Sequence, residues 1–126
     1  VSGQFEQHND GCDHIKFTNL PELSLSLKTE SGEVVVVGCS HSGVERIVKQ
    51  AKEETQNKIE LVYGGFHMIP FKRAEVQQFC NYMKNDLGVH RVAPAHCSGH
   101  LAFSIFQKEF GSNYIYAGLG ETISYK

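Results

Sequence analysis

Three histidines stand just past three runs of β-branched or small apolar residues. His41 follows Val34-Val35-Val36-Val37-Gly38-Cys39-Ser40, His67 follows Gly64-Gly65-Phe66, and His96 follows Val92-Ala93-Pro94-Ala95. An imidazole can ligate a metal ion or carry a proton near neutral pH. Three of them gathered at one place would frame a volume that a metal ion fills. Cys39 adds a sulfur beside His41, and thiolate and imidazole together suit zinc or iron. Cys39 therefore reads as a metal ligand, a nucleophile or a small core residue. His67 reads as a further ligand or a proton donor.

The elements that must position these groups follow from periodicity. Leu23, Leu25 and Leu27 alternate with Ser24, Ser26 and Lys28, and Glu30-Ser31-Gly32 marks a turn. A hairpin of strands 22–28 and 33–38 is expected, the second strand apolar throughout as if covered on both faces. Ser42 with Glu45 three residues later is a capping-box pattern opening a first helix with Val44, Ile47, Val48 and Ala51 on one face. A strand over 59–63 and a helix carrying Val76, Phe79, Cys80, Met83 and Leu87, closed by Gly88, come next. A strand over 89–93, a helix carrying Leu101, Ala102, Ile105 and Phe106, and closing strands at 113–117 and 122–125 complete the reading. Strand and helix alternate three times, which predicts a mainly parallel sheet with right-handed crossovers. The three histidines then fall at the carboxyl ends of the strands, where open α/β sheets bind ligands.

The whole chain has 126 residues, a net charge of −2, four cysteines and seven histidines. No basic stripe points to nucleic acid, and no apolar run is long enough to span a membrane. A cytoplasmic protein with reduced thiols is expected, because the chain is rich in ordinary core residues and needs no disulfide scaffold. Residues 1–21 show no helical or strand period and read as an irregular segment preceding a half-domain at 22–126. The chain opens on Val1 rather than Met, and the sheet face away from the helices is apolar with little to cover it. Both features suggest a missing half or a second copy. Cys80 reads as core, while His8, His14, His90 and His100 read as ordinary surface or structural histidines.

Two other motifs fail on inspection. His96-Cys97-Ser98-Gly99 resembles a cysteine-phosphatase loop, but Phe103 stands where the phosphate-holding arginine is required. Gly118-Leu119-Gly120 has Ile123 in place of the last glycine of a dinucleotide fingerprint and reads as a turn.

GCSHSG at 38–43, GGFH at 64–67 and AHCSG at 95–99, in that order and spacing, resemble the carboxy-terminal half of metallo-β-lactamase-fold metallohydrolases. The nearest group is the dihydropterin-ribofuranosylaminobenzene phosphate synthase-like proteins. The resemblance implies half of an αβ/βα sandwich, a mixed sheet with about three helices on one face. It also implies one or two metal ions, zinc above all, with iron and manganese as the other choices. Gly38-Cys39 occupies the place of the superfamily's glycine-acid pair, so Cys39 or His41 would replace the bridging aspartate, and His96 matches a ligating histidine. His67 has the position of a ligand or a substrate-binding, catalytic group. The superfamily's His-x-His-x-Asp-His motif does not occur here, and His14 is the nearest candidate for a histidine preceding the leucine strand. The function implied is a metal-dependent hydrolase acting on a small molecule, with weak or no metal binding and little activity expected from this half alone. The alternative is a non-enzymatic α/β module that homodimerises through its open sheet face.

Overall fold

The computed structural model describes residues 2–6 and 16–124. Strands β1 (Ser2–Glu6) and β2 (Lys16–Pro21) pair antiparallel. The irregular segment expected at 1–21 is thus a hairpin over its paired residues. Its register shifts between Gly3 and Phe5, and such an irregularity breaks the period of two on which strand recognition depends. His8, Cys12 and His14 lie outside the described residues.

A second sheet has the order β3 (Ser24–Thr29), β4 (Gly32–Val37), β5 (Ile59–Gly65), β6 (Arg91–Ala95). The β3–β4 pair is the expected antiparallel hairpin, and β4–β5 and β5–β6 run parallel. β6 begins two residues later than its sequence suggests and contains Pro94. It tolerates proline because only one side pairs along its length, against β5. The crossovers carry α1 (Val44–Thr55), α2 (Arg73–Asn81) and α3 (His100–Phe110). α2 runs on through a π-helical turn at Tyr82–Asp86, whose Leu87 N–H reaches the Tyr82 carbonyl at 3.0 Å. Gly88 then takes the left-handed conformation at φ 67° that ends the helix.

The alternation of β4 sorts its valines. Val35 and Val37 join Val62, Val92 and the inner residues of all three helices in one core, with Cys80 fully buried in it. Val34, Leu61 and Ala93 point the other way, against Ile115, Ala117 and Ile123. Ile115, Ala117 and Ile123 thus lie over the second face. Leu25 and Leu27, on this same face by their register with Val36 and Val34, remain 54% and 46% exposed. The closing strands expected at 113–117 and 122–125 are not formed over the described residues. One bridge joins Tyr114 to Val92, and the chain then crosses the sheet as irregular backbone. Gly118 and Gly120 interrupt any ladder there, and the Glu121 N–H turns back to the Gly118 carbonyl at 3.1 Å. No helix among the described residues is long and apolar enough to cross a membrane.

Candidate metal centre at the strand ends

The rim is built where β4, β5 and β6 stop. At each of the three, the chain leaves its strand through a non-glycine residue in the left-handed region: Ser40 at φ 58°, His67 at 47° and His96 at 50°. Each such residue costs on the order of 1–3 kcal/mol and persists where surrounding structure enforces it. Among the described residues the fourth left-handed non-glycine residue, Gln56, ends α1.

Cys39, His96 and Cys97 form the one three-donor group among the described residues. One ligand atom from each lies within 4.8 Å of the others. His96 is exposed, and the two cysteines are half-buried. The turn His96–Ser98 brings Cys97 inward. The Ser98 hydroxyl donates to the Ala95 carbonyl at 2.7 Å and accepts the Phe66 N–H at 3.0 Å. The Cys97 thiol donates to the Cys39 carbonyl at 3.4 Å. Burial raises the pKa of Cys97; the Cys39 thiol adds to the rise, and the His67 N–H works against it.

A second group stands beside the first. Glu22, just before β3, accepts the N–H of His41 and the N–H and hydroxyl of Ser42 at 2.7, 2.7 and 2.6 Å. His41 Nδ1 lies 3.3 Å from the same carboxylate. Burial alone would raise the Glu22 pKa, but the hydrogen bonds from Ser42 and His41 and the His41 charge hold it below the usual glutamate value. Ser42 is therefore no N-cap. α1 starts from Gly43 without a side-chain cap, because the hydroxyl is committed to Glu22. Starting α1 at Val44 also leaves Cys39 outside its first turn. The His41 and His67 rings meet edge to face with centroids 4.5 Å apart. Burial, with the His41 charge adding to it and Glu22 opposing, lowers the His67 pKa. The buried hydroxyl of Ser40 has no hydrogen-bond partner and lines the same hollow of about 240 Å³ as His41 and His67.

The structure thus places two expected ligands, Cys39 and His96, in the three-donor group. His41 stands outside it, against Glu22 and His67. His90 precedes β6 rather than lying within it, and its Nδ1 pairs with Glu60 at 2.9 Å. Two participants escaped the sequence reading. Cys97 was signalled only by its adjacency to His96. Glu22 was signalled only by its place before the leucine strand.

The donor chemistry suits a metal. Two thiols and an imidazole are a zinc-type set, and zinc–sulfur and zinc–nitrogen bonds of about 2.3 and 2.0–2.1 Å would draw the donors together by roughly 1 Å. Three protein donors leave a position open, as in catalytic rather than structural zinc sites.

This mixed sheet with three helices on one face is half of the metallo-β-lactamase fold. Over 95% of its length the chain superposes on the crystal structure of Tm1679, a metal-dependent hydrolase of the β-lactamase superfamily, with a TM-score of 0.77 and 34% identity, covering 47% of that chain. It is 33% identical over 105 residues to 7,8-dihydropterin-6-methyl-4-(β-D-ribofuranosyl)-aminobenzene-5′-phosphate synthase of Methanocaldococcus jannaschii, matching 82% of this chain and 35% of that protein. An uncharacterized protein of the same organism is 28% identical over 90 residues, 71% of this chain and 33% of its own length. No family model matches. The chain thus spans about a third of its curated relatives, and its resemblance to the superfamily holds in both sequence and fold.

Proposed function

We propose that the chain supplies the carboxy-terminal, metal-holding rim of a metal-dependent hydrolase that acts on a small molecule. The observation that carries this reading is the meeting of Cys39, from the end of β4, with His96 and Cys97, from the end of β6. Kinship with a metal-dependent hydrolase at 34% identity supports it. Those three residues would hold the ion, zinc being the choice that two thiolates and an imidazole favour. A bound ion supplies positive charge to a substrate oxygen and makes water acidic enough to attack near neutral pH.

The chain's own residues do the rest. His67 faces the hollow beside the rim and serves as the proton-transfer group. His41, held by Glu22, packs against it edge to face and fixes its ring. His96 also borders a hollow of about 580 Å³ walled by Phe103, Gln107 and Tyr116, which offers a seat for a partly aromatic substrate.

Elemental analysis of protein prepared without chelator, beside turnover of an activated phosphodiester and a lactone, tests the proposal. One equivalent of metal is expected, and whatever small turnover this half retains is expected to be abolished by chelation or by His67→Ala. Metal at background level would overturn it.

One observation favours a second reading, the homodimerising module. Leu25, Leu27 and Tyr63 are exposed on the thinly covered face, and a second copy of the chain would bury them. Sedimentation distinguishes the readings: a dimer dispersed by Leu27→Glu supports this one, and a monomer at micromolar concentration rejects it.

A further inference from the structure

We propose that Cys39 and Cys97 form a reversible disulfide, and that this bond and a metal ion compete for the same rim. The competition rests on the metal reading above, whereas the disulfide stands without it.

The two cysteines come from strands that are not neighbours. β5 lies between β4 and β6, so the strand ends are about 10 Å apart at the usual spacing. A disulfide needs Cα atoms within about 4.4–6.8 Å. Two features narrow the gap. Gly65 ends β5 without a side chain; a Cβ there would lie 2.7 Å from Cys97 Sγ and 3.3 Å from Cys39 Cα. The approach of the two thiols therefore uses room that the glycine leaves. The His96–Ser98 turn then bends back across that room, pinned by the Ser98 hydroxyl between Phe66 and Ala95. The two sulfurs end within 4.8 Å of each other. The remaining approach, to about 2.05 Å, is made within loops rather than between strands. Both thiols are free and half-buried, open to a small reagent, unlike the buried Cys80.

The oxidant is a low-molecular-weight disulfide, R–S–S–R. One cysteine thiolate attacks it, releasing R–SH and leaving a mixed disulfide. The other cysteine attacks the protein sulfur of that bond and releases the second R–SH. Two electrons pass from the protein to the reagent, and the two thiol protons end on two molecules of R–SH. The oxidised rim keeps only His96 of its three donors, because sulfurs bonded to each other are no longer thiolate ligands.

The test treats the full chain, stripped by chelator, with excess oxidised glutathione, followed by alkylation, digestion without reductant and mass spectrometry. A cross-linked peptide pair joining Cys39 to Cys97, reversed by dithiothreitol, is expected. Cys39→Ser and Cys97→Ser each leave glutathione on the remaining cysteine. Cys39 and Cys97 both alkylated, glutathione retained on either of them in the parent chain, or a bond from either to Cys12 would overturn the disulfide. With one equivalent of zinc, oxidation is expected to slow at least about tenfold. Zinc bound with the rate unchanged would overturn the competition alone. Zinc not bound at all would overturn the competition and the metal reading together, leaving the disulfide to be judged by the metal-free arm.

Discussion

Glu22 grips Ser42 twice, accepting its N–H at 2.7 Å and its hydroxyl at 2.6 Å. A residue just ahead of β3 thereby sets the loop that carries His41. Hydrogen bonds to a charged acceptor contribute about 1.5–3 kcal/mol, and a buried donor left without a partner costs about as much. Glu22→Ala is expected to lower unfolding stability by about 2–3 kcal/mol, with Glu22→Gln losing less because its amide oxygen still accepts. Urea denaturation of the three proteins checks this. Equal stability would mean the loop needs no anchor.

Removing a metal donor should matter more than removing a neighbour. His96→Ala and Cys97→Ala are expected to weaken zinc binding more than about a hundredfold, beyond the 10–100-fold typical of residues that only support ligands. His41→Ala, outside the three-donor group, is expected to fall within that lesser range. Competition against a chromogenic chelator measures all three.

Gly65→Ala should damage the rim without replacing a donor. The new methyl would sit 2.6 Å from the Gly38 carbonyl oxygen and 2.7 Å from Cys97 Sγ. Overpacking of this kind costs about 1–3 kcal/mol. Loss of metal binding along with stability is expected, read by calorimetry on loaded and chelated protein.

Cys80 supplies a pH signature away from the rim. Burial, with Glu109 adding and Lys84 opposing, pushes its thiol up from 9.0 to about 12. The folded state holds the neutral thiol, so its contribution is intact below about pH 9. It is lost as pH climbs from there toward about 12, where the unfolded chain ionises first. Stability should therefore decline more steeply across that range in the parent than in Cys80→Ala. A thiol reagent at pH 8 should label Cys39 and Cys97 while sparing Cys80 until denaturant is added.

Much of this architecture could be read from residues that obey a single period. The valines of β4, the 3–4 spacing from Val76 to Leu87 and the glycine-histidine strand ends declared the alternating fold and its rim. What stayed hidden depended on contacts across the chain. The Ser42–Glu45 pattern is a sound local cap, yet Glu22, twenty residues earlier, takes the hydroxyl. Cys97 reaches Cys39 only because Gly65 leaves space between them, and no local pattern announces a vacancy. The C-terminal apolar residues alternate like a strand, but Ile115, Ala117 and Ile123 pack on the sheet face instead of extending its edge.

The central claim is that Cys39, His96 and Cys97 ligate one ion, and X-ray absorption at the zinc edge of the loaded protein reads that donor set directly. Two sulfur neighbours at about 2.3 Å, with nitrogen or oxygen at about 2.0–2.1 Å, are expected. A first shell of nitrogen and oxygen alone would contradict it.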